Sequence, residues 1–330
     1  MKSNRKRPIS LEIIIPVYNE EAVLNDLFDE LQTVFTDDDL KENNIKNIQY
    51  LFIDDGSSDK SVKMISNFIK KGATAKLFRL SRNFGHQNAV IAGLENSTSE
   101  IVGIIDADLQ DPPKVILSML KKWREGFDVV YGERRNRKEN IFKRSAYWLF
   151  YRMLNMLSEI KIPLDSGDFS IMDRKVVDAI CKLPEVLKYP RVLRAWAGFS
   201  QIGFPYERDY RKAGQTKYSF ANYYKLATDG ISSASTKPLR MSQFIVILYS
   251  IALVFLITIS LLKYFSYTSI DPSMRTVSDE LSLWFLFTFV LISFSAFVQS
   301  LALYVISAYV GRGYLETKDR PPYIIMDVIE

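Results

Sequence analysis

Three short acidic segments hold the residues best suited to chemistry. They are Pro16-Val17-Tyr18-Asn19-Glu20-Glu21, Asp54-Asp55-Gly56-Ser57-Ser58-Asp59 and Asp106-Ala107-Asp108-Leu109-Gln110-Asp111-Pro112. Any one of them could be a set of helix caps, since Asp and Ser favour that position and Ser58 or Asp59 suits it. Capping explains three together poorly, because uncompensated carboxylates repel unless a cation or the hydroxyls of a ligand answer them. The Asp106-x-Asp108 pair has its own logic. Alternate residues of an extended segment point to opposite faces. Where the strand frays, one carboxylate can reach a divalent ion and the other a ribose. Hard oxygen donors with few further protein ligands suit Mg²⁺ or Mn²⁺ completed by diphosphate oxygens. The chain has neither a P-loop nor a G-x-G-x-x-G turn, which disfavours kinase and dehydrogenase chemistry and leaves phosphates to a metal and basic side chains.

These segments need elements to carry them. Apolar runs at 11–17 (LEIIIPV), 50–54 (YLFID), 76–80, 101–105 (IVGII) and 128–131 (DVVY) read as strands. Helical stretches fall between them at 20–35, 60–71, 88–95 and 115–125. Strands separated by helices of this length make right-handed crossovers on a parallel, doubly wound α/β sheet. Such sheets bind ligands at the carboxyl ends of their strands. The acidic segments follow strands one, two and four, so they meet at one edge.

Composition sets further bounds. A chain of 330 residues suggests two domains at about 150 residues each. Overall it is 48% hydrophobic and 25% charged, but nearly all the charge lies in the first 240 residues. Cys181 is the only cysteine, which excludes an internal disulfide and a cysteine zinc site. His86 is the only histidine, which excludes H-E-x-x-H metal motifs. Forty-three basic residues against 38 acidic give +5, too mild for nucleic acid but suited to a membrane face or an anionic substrate. Cys181 and Trp123 read as core, and Lys121-Lys122 and Asp37-Asp38-Asp39 as solvated surface.

Residues 244–262 (FIVILYSIALVFLITISLL) and 281–310 carry no charge. Roughly 20 apolar residues cross a hydrocarbon core of about 30 Å, so each run is long enough. Two transmembrane helices are expected, at about 243–263 and 281–310. Lys237 and Arg240 precede the first, and Arg312, Lys318 and Arg320 follow the second; the link between them holds only Lys263 and Arg275. The positive-inside rule puts both ends in the cytoplasm. The expected domains are thus 1–240, a cytoplasmic domain with interfacial amphipathic helices, and 241–330, a membrane domain ending in a short cytoplasmic tail. The basic then aromatic stretch 137–157 suits an interfacial helix, with Trp148 and Tyr151 at headgroup depth.

The ordered motifs P-V-Y-N-E-E, I-D-D-G-S-S-D, L-S-R-N-F-G and D-A-D-L-Q-D-P-P resemble those of the family-2 inverting glycosyltransferases of GT-A fold. Gly167-Asp168-Phe169 and the group of Arg211 with Gly214-Gln215-Thr216-Lys217-Tyr218 extend the likeness. It is strongest to the polyprenyl-phosphate branch, dolichol-phosphate mannose synthases and bactoprenol glucosyltransferases. The resemblance implies that Pro16, Tyr18, Glu20, Ile53 and Asp55 form the base and ribose site, continued by Asp106 and Ala107. It assigns the metal to Asp108 and Gln110, the donor face to Arg134, and a basic loop over the diphosphate to Arg211 and Lys217. Gln215 departs from the Glu, Asp or Ser common in relatives.

The implied reaction moves a hexose from a nucleotide sugar, best matched by UDP-glucose, to the phosphate of a membrane polyprenol. GDP-mannose and UDP-N-acetylglucosamine remain alternative donors. The nucleophile would be a phosphate monoester whose second pKa of about 6 leaves it ionised. A carboxylate at Asp168 would repel it, so the residues favour Asp168 as an orienting group, whereas the family reading allows a base. Arg82, Asn83 and His86 either meet the lipid phosphate or order their loop. The resemblance also implies a homo-oligomer, a tetramer. Reading the chain as a flippase conflicts with helices that lack intramembrane charge, and a non-catalytic adaptor conflicts with the intact charged set. A processive polysaccharide synthase would add helices and a Q-x-x-R-W segment.

Overall fold

The first strand, β1 (Ile9–Val17), is an apolar run in which all nine residues are buried. A strand covered on both faces requires that composition. Leu11, Ile13, Ile15 and Val17 enter one core while Ile14 enters the other. The computed structural model describes residues 5–135, 166–186, 188–208 and 277–330, with 247, 250, 251, 254, 255 and 258 besides. The chain divides into two units, one of Met1–Met156, Ile160–Gly230 and Asp319–Glu330, the other of Leu157–Glu159 and Ile231–Lys318.

The first unit is an eight-stranded sheet of order β7-β5-β6-β4-β1-β2-β3-β8. Its other strands are β2 (Ile45–Asp54), β3 (Ala75–Leu80), β4 (Ile101–Ile104), β5 (Val129–Arg135), β6 (Ser166–Asp173), β7 (Gln201–Glu207) and β8 (Ile325–Ile329). Helices α1 (Leu24–Val34), α2 (Asp37–Glu42), α3 (Ser61–Lys70) and α5 (Lys114–Arg124) cover one face, burying Leu27, Leu31, Ile65, Phe68, Met119 and Trp123. Helices α4 (His86–Asn96), α6 (Arg174–Cys181) and α7 (Pro190–Trp196) cover the other, with Val90, Ile91, Val177, Ile180 and Leu193. This is a GT-A-like doubly wound α/β fold.

The expectation of a wholly parallel sheet needs correction. Strands β1 to β5 share one direction, but β6 is inserted antiparallel between β4 and β5. An antiparallel strand starts at the edge where its neighbours finish. Ile104 pairs with Ser170, so continuing the register two residues further sets Asp106 opposite Asp168. The sheet topology therefore delivers Asp168 to the acidic edge.

A second difference lies at the other edge. Residues 319–330, expected as a tail of the membrane domain, include β8, antiparallel on β3, with ion pairs Arg79–Asp327 at 3.0 Å and Lys76–Glu330 at 2.5 Å. Asp37, Asp38 and Asp39 are solvated as expected, but they also open α2 behind the N-cap Thr36, where carboxylates favour the helix dipole. Trp123 is core as expected, and its indole N–H donates to Asp173 at 3.0 Å.

In the second unit, α8 spans Val277–Thr317, and its Phe294–Thr317 part is long and apolar enough to cross a membrane. Phe297, Leu303 and Val310 are exposed along it, the reverse of a helix buried in a water-soluble core. It is the one candidate span among the described residues. Of the expected first crossing only residues 247, 250, 251, 254, 255 and 258 are described, all of them helical. The interfacial stretch 137–157 and the loop with Arg211, Gln215 and Lys217 lie outside the described residues.

Candidate active site

The loops after β1 and β2 lock together through short polar side chains. Asn19, at φ +53°, accepts from the amides of Ser58 (2.8 Å) and Asp59 (3.3 Å), and its own amide donates to Ser57 Oγ at 2.9 Å. The Glu20 amide donates to Ser61 Oγ and that of Glu21 to Asp59, both at 3.0 Å. Asn and Asp tolerate the left-handed region, so Asn19 suits this corner. The pairing leaves Tyr18 exposed beside buried Pro16 and Ile53. Asp54 is buried and accepts from the Ser57 amide.

Asp55, expected in the base and ribose site, is buried and accepts from the amides of Phe84 (2.7 Å) and Gly85 (2.9 Å). It thereby fixes the turn that starts α4. Gly56 makes that approach possible: at φ +75°, an added Cβ would lie 2.6 Å from the Arg82 carbonyl carbon. Gly56→Ala should therefore lower the melting temperature by about 5 °C, from backbone strain and the clash together. A thermal melt within a degree of wild type would contradict this packing. Arg82 is exposed and lies over the Phe84 ring at 4.0 Å.

After β4 the chain turns sharply, with Leu109 buried at φ +57°. Bulky residues adopt that region at a cost of about 1–3 kcal/mol, and such strain concentrates at functional sites. Ala107 is buried, and Asp108 Oδ1 accepts from the Gln110 amide at 3.1 Å. Asp111, only 1% exposed, accepts from the Tyr206 hydroxyl at 2.5 Å and pairs with Arg208 at 3.3 Å. Arg134 Nε donates to the same hydroxyl at 3.4 Å. Tyr206 and Arg208, which the sequence did not single out, join Asp111 of the third acidic segment in bracing the end of β7 against the acidic loop.

His86 is the main surprise. Its Nε2 lies 3.7 Å from Asp106 Oδ1 and 3.5 Å from Asp168 Oδ2. Asp168 is buried; it accepts from Gln87 Nε2 at 2.9 Å and has Arg191 Nε 3.5 Å from its Oδ1. Burial alone would push the imidazole down, but the hydrogen bond to Asp168 and the charges of Asp106 and Asp168 outweigh it and raise it to about 9. Burial would push Asp168 up, yet Arg191, His86 and Gln87 hold it well below the usual carboxylate range. Asp106 moves the other way, raised by burial and the carboxylates of Asp111, Asp108 and Asp168 against the pull of His86.

The His86 shift has a pH signature. Its folded value lies above its ordinary 6.5, so its stabilising contribution is complete below about pH 6.5 and lost as pH rises through about 9. Asp106, Asp168 and Asp55 favour its charge, and Arg191 opposes it. Wild type should therefore lose more melting temperature than His86→Gln between pH 7 and 9.5. Parallel curves would contradict the shift.

Several buried polar atoms at this edge form no hydrogen bond among the described residues: Asp111 Oδ2, Asp168 Oδ1 and Gln87 Oε1. Such atoms cost about 1–3 kcal/mol each, and a sugar's hydroxyls could satisfy them.

Carboxylates gathered at the carboxyl edge of a doubly wound sheet suit a ligand rich in hydroxyls or a divalent ion. Residues 12–181 match the family described as glycosyl transferase family 2, and the chain belongs to it. It is a glycosyltransferase. An uncharacterized glycosyltransferase of Bacillus subtilis, YkcC, is 40% identical over 321 residues, covering 97% of this chain and 94% of its own. The bactoprenol glucosyl transferase of Shigella phage SfX is 33% identical over 321 residues, 96% of this chain and 99% of its own. Among solved structures, the mannosyltransferase PcManGT from Pyrobaculum calidifontis, in complex with GDP-Man and Mn2+, is 14% identical with a TM-score of 0.47, covering 94% of this chain and 88% of that one.

Proposed function

We propose that this enzyme transfers glucose from UDP-glucose, with inversion, to the phosphate of undecaprenyl phosphate, making a lipid-linked sugar. The observation that carries the reading is likeness over nearly the full length, membrane segment included, to proteins named bactoprenol glucosyl transferase. The carboxylate edge supplies the matching chemistry.

Pro16, Tyr18, Glu20, Ile53, Asp55, Asp106 and Ala107 would surround the nucleoside, with the Asp106 carboxylate toward the ribose. Asp108 and Gln110 would hold Mg²⁺ or Mn²⁺. Both offer hard oxygen atoms of the kind such ions prefer, and Asp108 is buried in the turn after β4. Among the described residues no group of three or more His, Cys, Asp or Glu could hold the ion by itself, so oxygens of the donor would complete the shell. Such an ion, when bound, neutralises charge developing on the departing diphosphate. Arg134, Arg211 and Lys217 would add fixed positive charge there, and losing one such donor costs on the order of 10²–10³ in rate. Arg82 would face the acceptor.

The acceptor oxygen is already ionised at neutral pH, so no proton need be removed. The sugar–diphosphate C–O bond breaks with its electron pair leaving on the nucleoside diphosphate, and a phosphate oxygen of the acceptor forms the new bond. The apolar Phe294–Thr317 helix and the run 244–262 would anchor the enzyme as an integral protein of the cytoplasmic membrane, its catalytic domain in the cytoplasm. Assembly into a homo-tetramer is part of this reading.

The test is a donor panel. Full-length enzyme in detergent, given undecaprenyl phosphate and labelled UDP-glucose, UDP-N-acetylglucosamine or GDP-mannose, should move label into extractable lipid most rapidly from UDP-glucose. A faster GDP-mannose reaction would replace the donor, and no labelled lipid from any donor would overturn the reading.

A further inference from the structure

His86 stands between the two carboxylates that the sheet register sets opposite each other. We propose that His86 is a positioning residue for the transfer: with Arg191 it clamps Asp168 as a fixed anion and ties it to Asp106. Asp168 then serves as a counter-charge beside the reacting sugar and not as a proton acceptor. The inference rests on the glycosyl transfer proposed above.

The contacts are specific. His86 Nε2 is 3.5 Å from Asp168 Oδ2 and 3.7 Å from Asp106 Oδ1, while Arg191 approaches Oδ1 through Nε and Oδ2 through Nη2, each at 3.5 Å. Gln87 adds a neutral donor at 2.9 Å. Three side chains, presenting four nitrogen atoms to one buried carboxylate, oppose its protonation. Ordering of the turn does not require the imidazole. Asp55 already holds the Phe84 and Gly85 amides, and Asn88 Nδ2 donates to the Phe84 carbonyl at 2.8 Å. What remains for His86 is the link between the Asp106 loop and β6.

The chemistry agrees with a fixed anion. The acceptor phosphate carries no proton that must leave, whereas the sugar carbon gains positive charge as the diphosphate departs. An ionised carboxylate held in place stabilises that charge without rearranging.

A double-mutant cycle tests the clamp. In full-length enzyme, kcat and donor KM are measured for wild type, His86→Gln, Asp168→Asn and the double variant, using UDP-glucose and undecaprenyl phosphate. Replacing His86 alone should lower kcat about 30-fold with donor KM changed less than about 3-fold. In the Asp168→Asn background the same change should cost less than about 3-fold. Equal costs in both backgrounds, or near-wild-type kcat for His86→Gln, overturn the proposal. The same cycle run with Arg191→Gln covers failure of the histidine variant to fold. If wild type transfers no sugar, the functional reading fails, and the clamp is judged by melting temperature. There the double variant should depart from the sum of the singles by about 3 °C or more, and additive shifts overturn it.

Discussion

Asp168→Asn is expected to lower turnover by about 10²–10³-fold while leaving UDP-glucose affinity within about 3-fold of wild type. Asparagine keeps the shape and removes the charge, so the loss measures the charge itself. The carboxylate lies where β6 starts, opposite Asp106, with His86, Gln87 and Arg191 around it. Removing its charge leaves Arg191 without this carboxylate partner, weakens the hold on a charged His86, and on the proposal above strips the sugar carbon of its counter-charge. Fixed charges aimed at a transition state are typically worth this much. Donor affinity should survive because the nucleoside side proposed above draws on the loops after β1, β2 and β4 and not on Asp168. Single-turnover rates beside calorimetric binding separate the two quantities. Near-wild-type turnover would remove Asp168 from the catalytic set, and lost binding would make it a donor-site residue.

The second large effect belongs to Asp108. Asp108→Asn should cost at least about 10²-fold in kcat/KM and should raise the Mn²⁺ concentration needed for half-maximal rate by tenfold or more. The residue is buried in a turn strained at Leu109, and Gln110 follows it closely enough for its amide to reach Oδ1. A neutral amide oxygen in place of a carboxylate weakens a hard-cation site. A metal titration of the initial rate reads this directly. An unchanged midpoint would move the metal elsewhere.

Much of the sheet was legible because buried parallel strands are nearly continuous apolar runs. The LEIIIPV and YLFID segments mark strands without knowledge of their partners, and the acidic segments that follow mark their ends. Strand β6 was not legible as a neighbour of β4. Its Ser-Gly-Asp-Phe-Ser-Ile-Met-Asp sequence mixes polar and apolar residues, and antiparallel insertion is decided by distant pairing that no local pattern encodes. Strand β8 was missed for a similar reason, since IMDVI is short and follows a long apolar helix. The convergence of Asp106 with Asp108 and Asp111 could be read from sequence; its link to Asp168 through a histidine could not. His86 follows a glycine at a helix start, a setting equally suited to ordering a loop. Arg191 and Tyr206 carried no signal beyond being polar among buried neighbours. Asp55, expected at the ligand, also holds two backbone amides of its own chain, a structural role that no local pattern displays.

The most direct test follows label from UDP-glucose into the organic-extractable lipid of membranes containing the enzyme, first with EDTA and then after excess Mg²⁺ or Mn²⁺ is restored. The account predicts glucose-labelled lipid that disappears on chelation, returns with either ion, and forms at least about 10²-fold more slowly with Asp108→Asn. Label transfer that ignores the chelator, or a wild type that leaves the lipid unlabelled throughout, would contradict it.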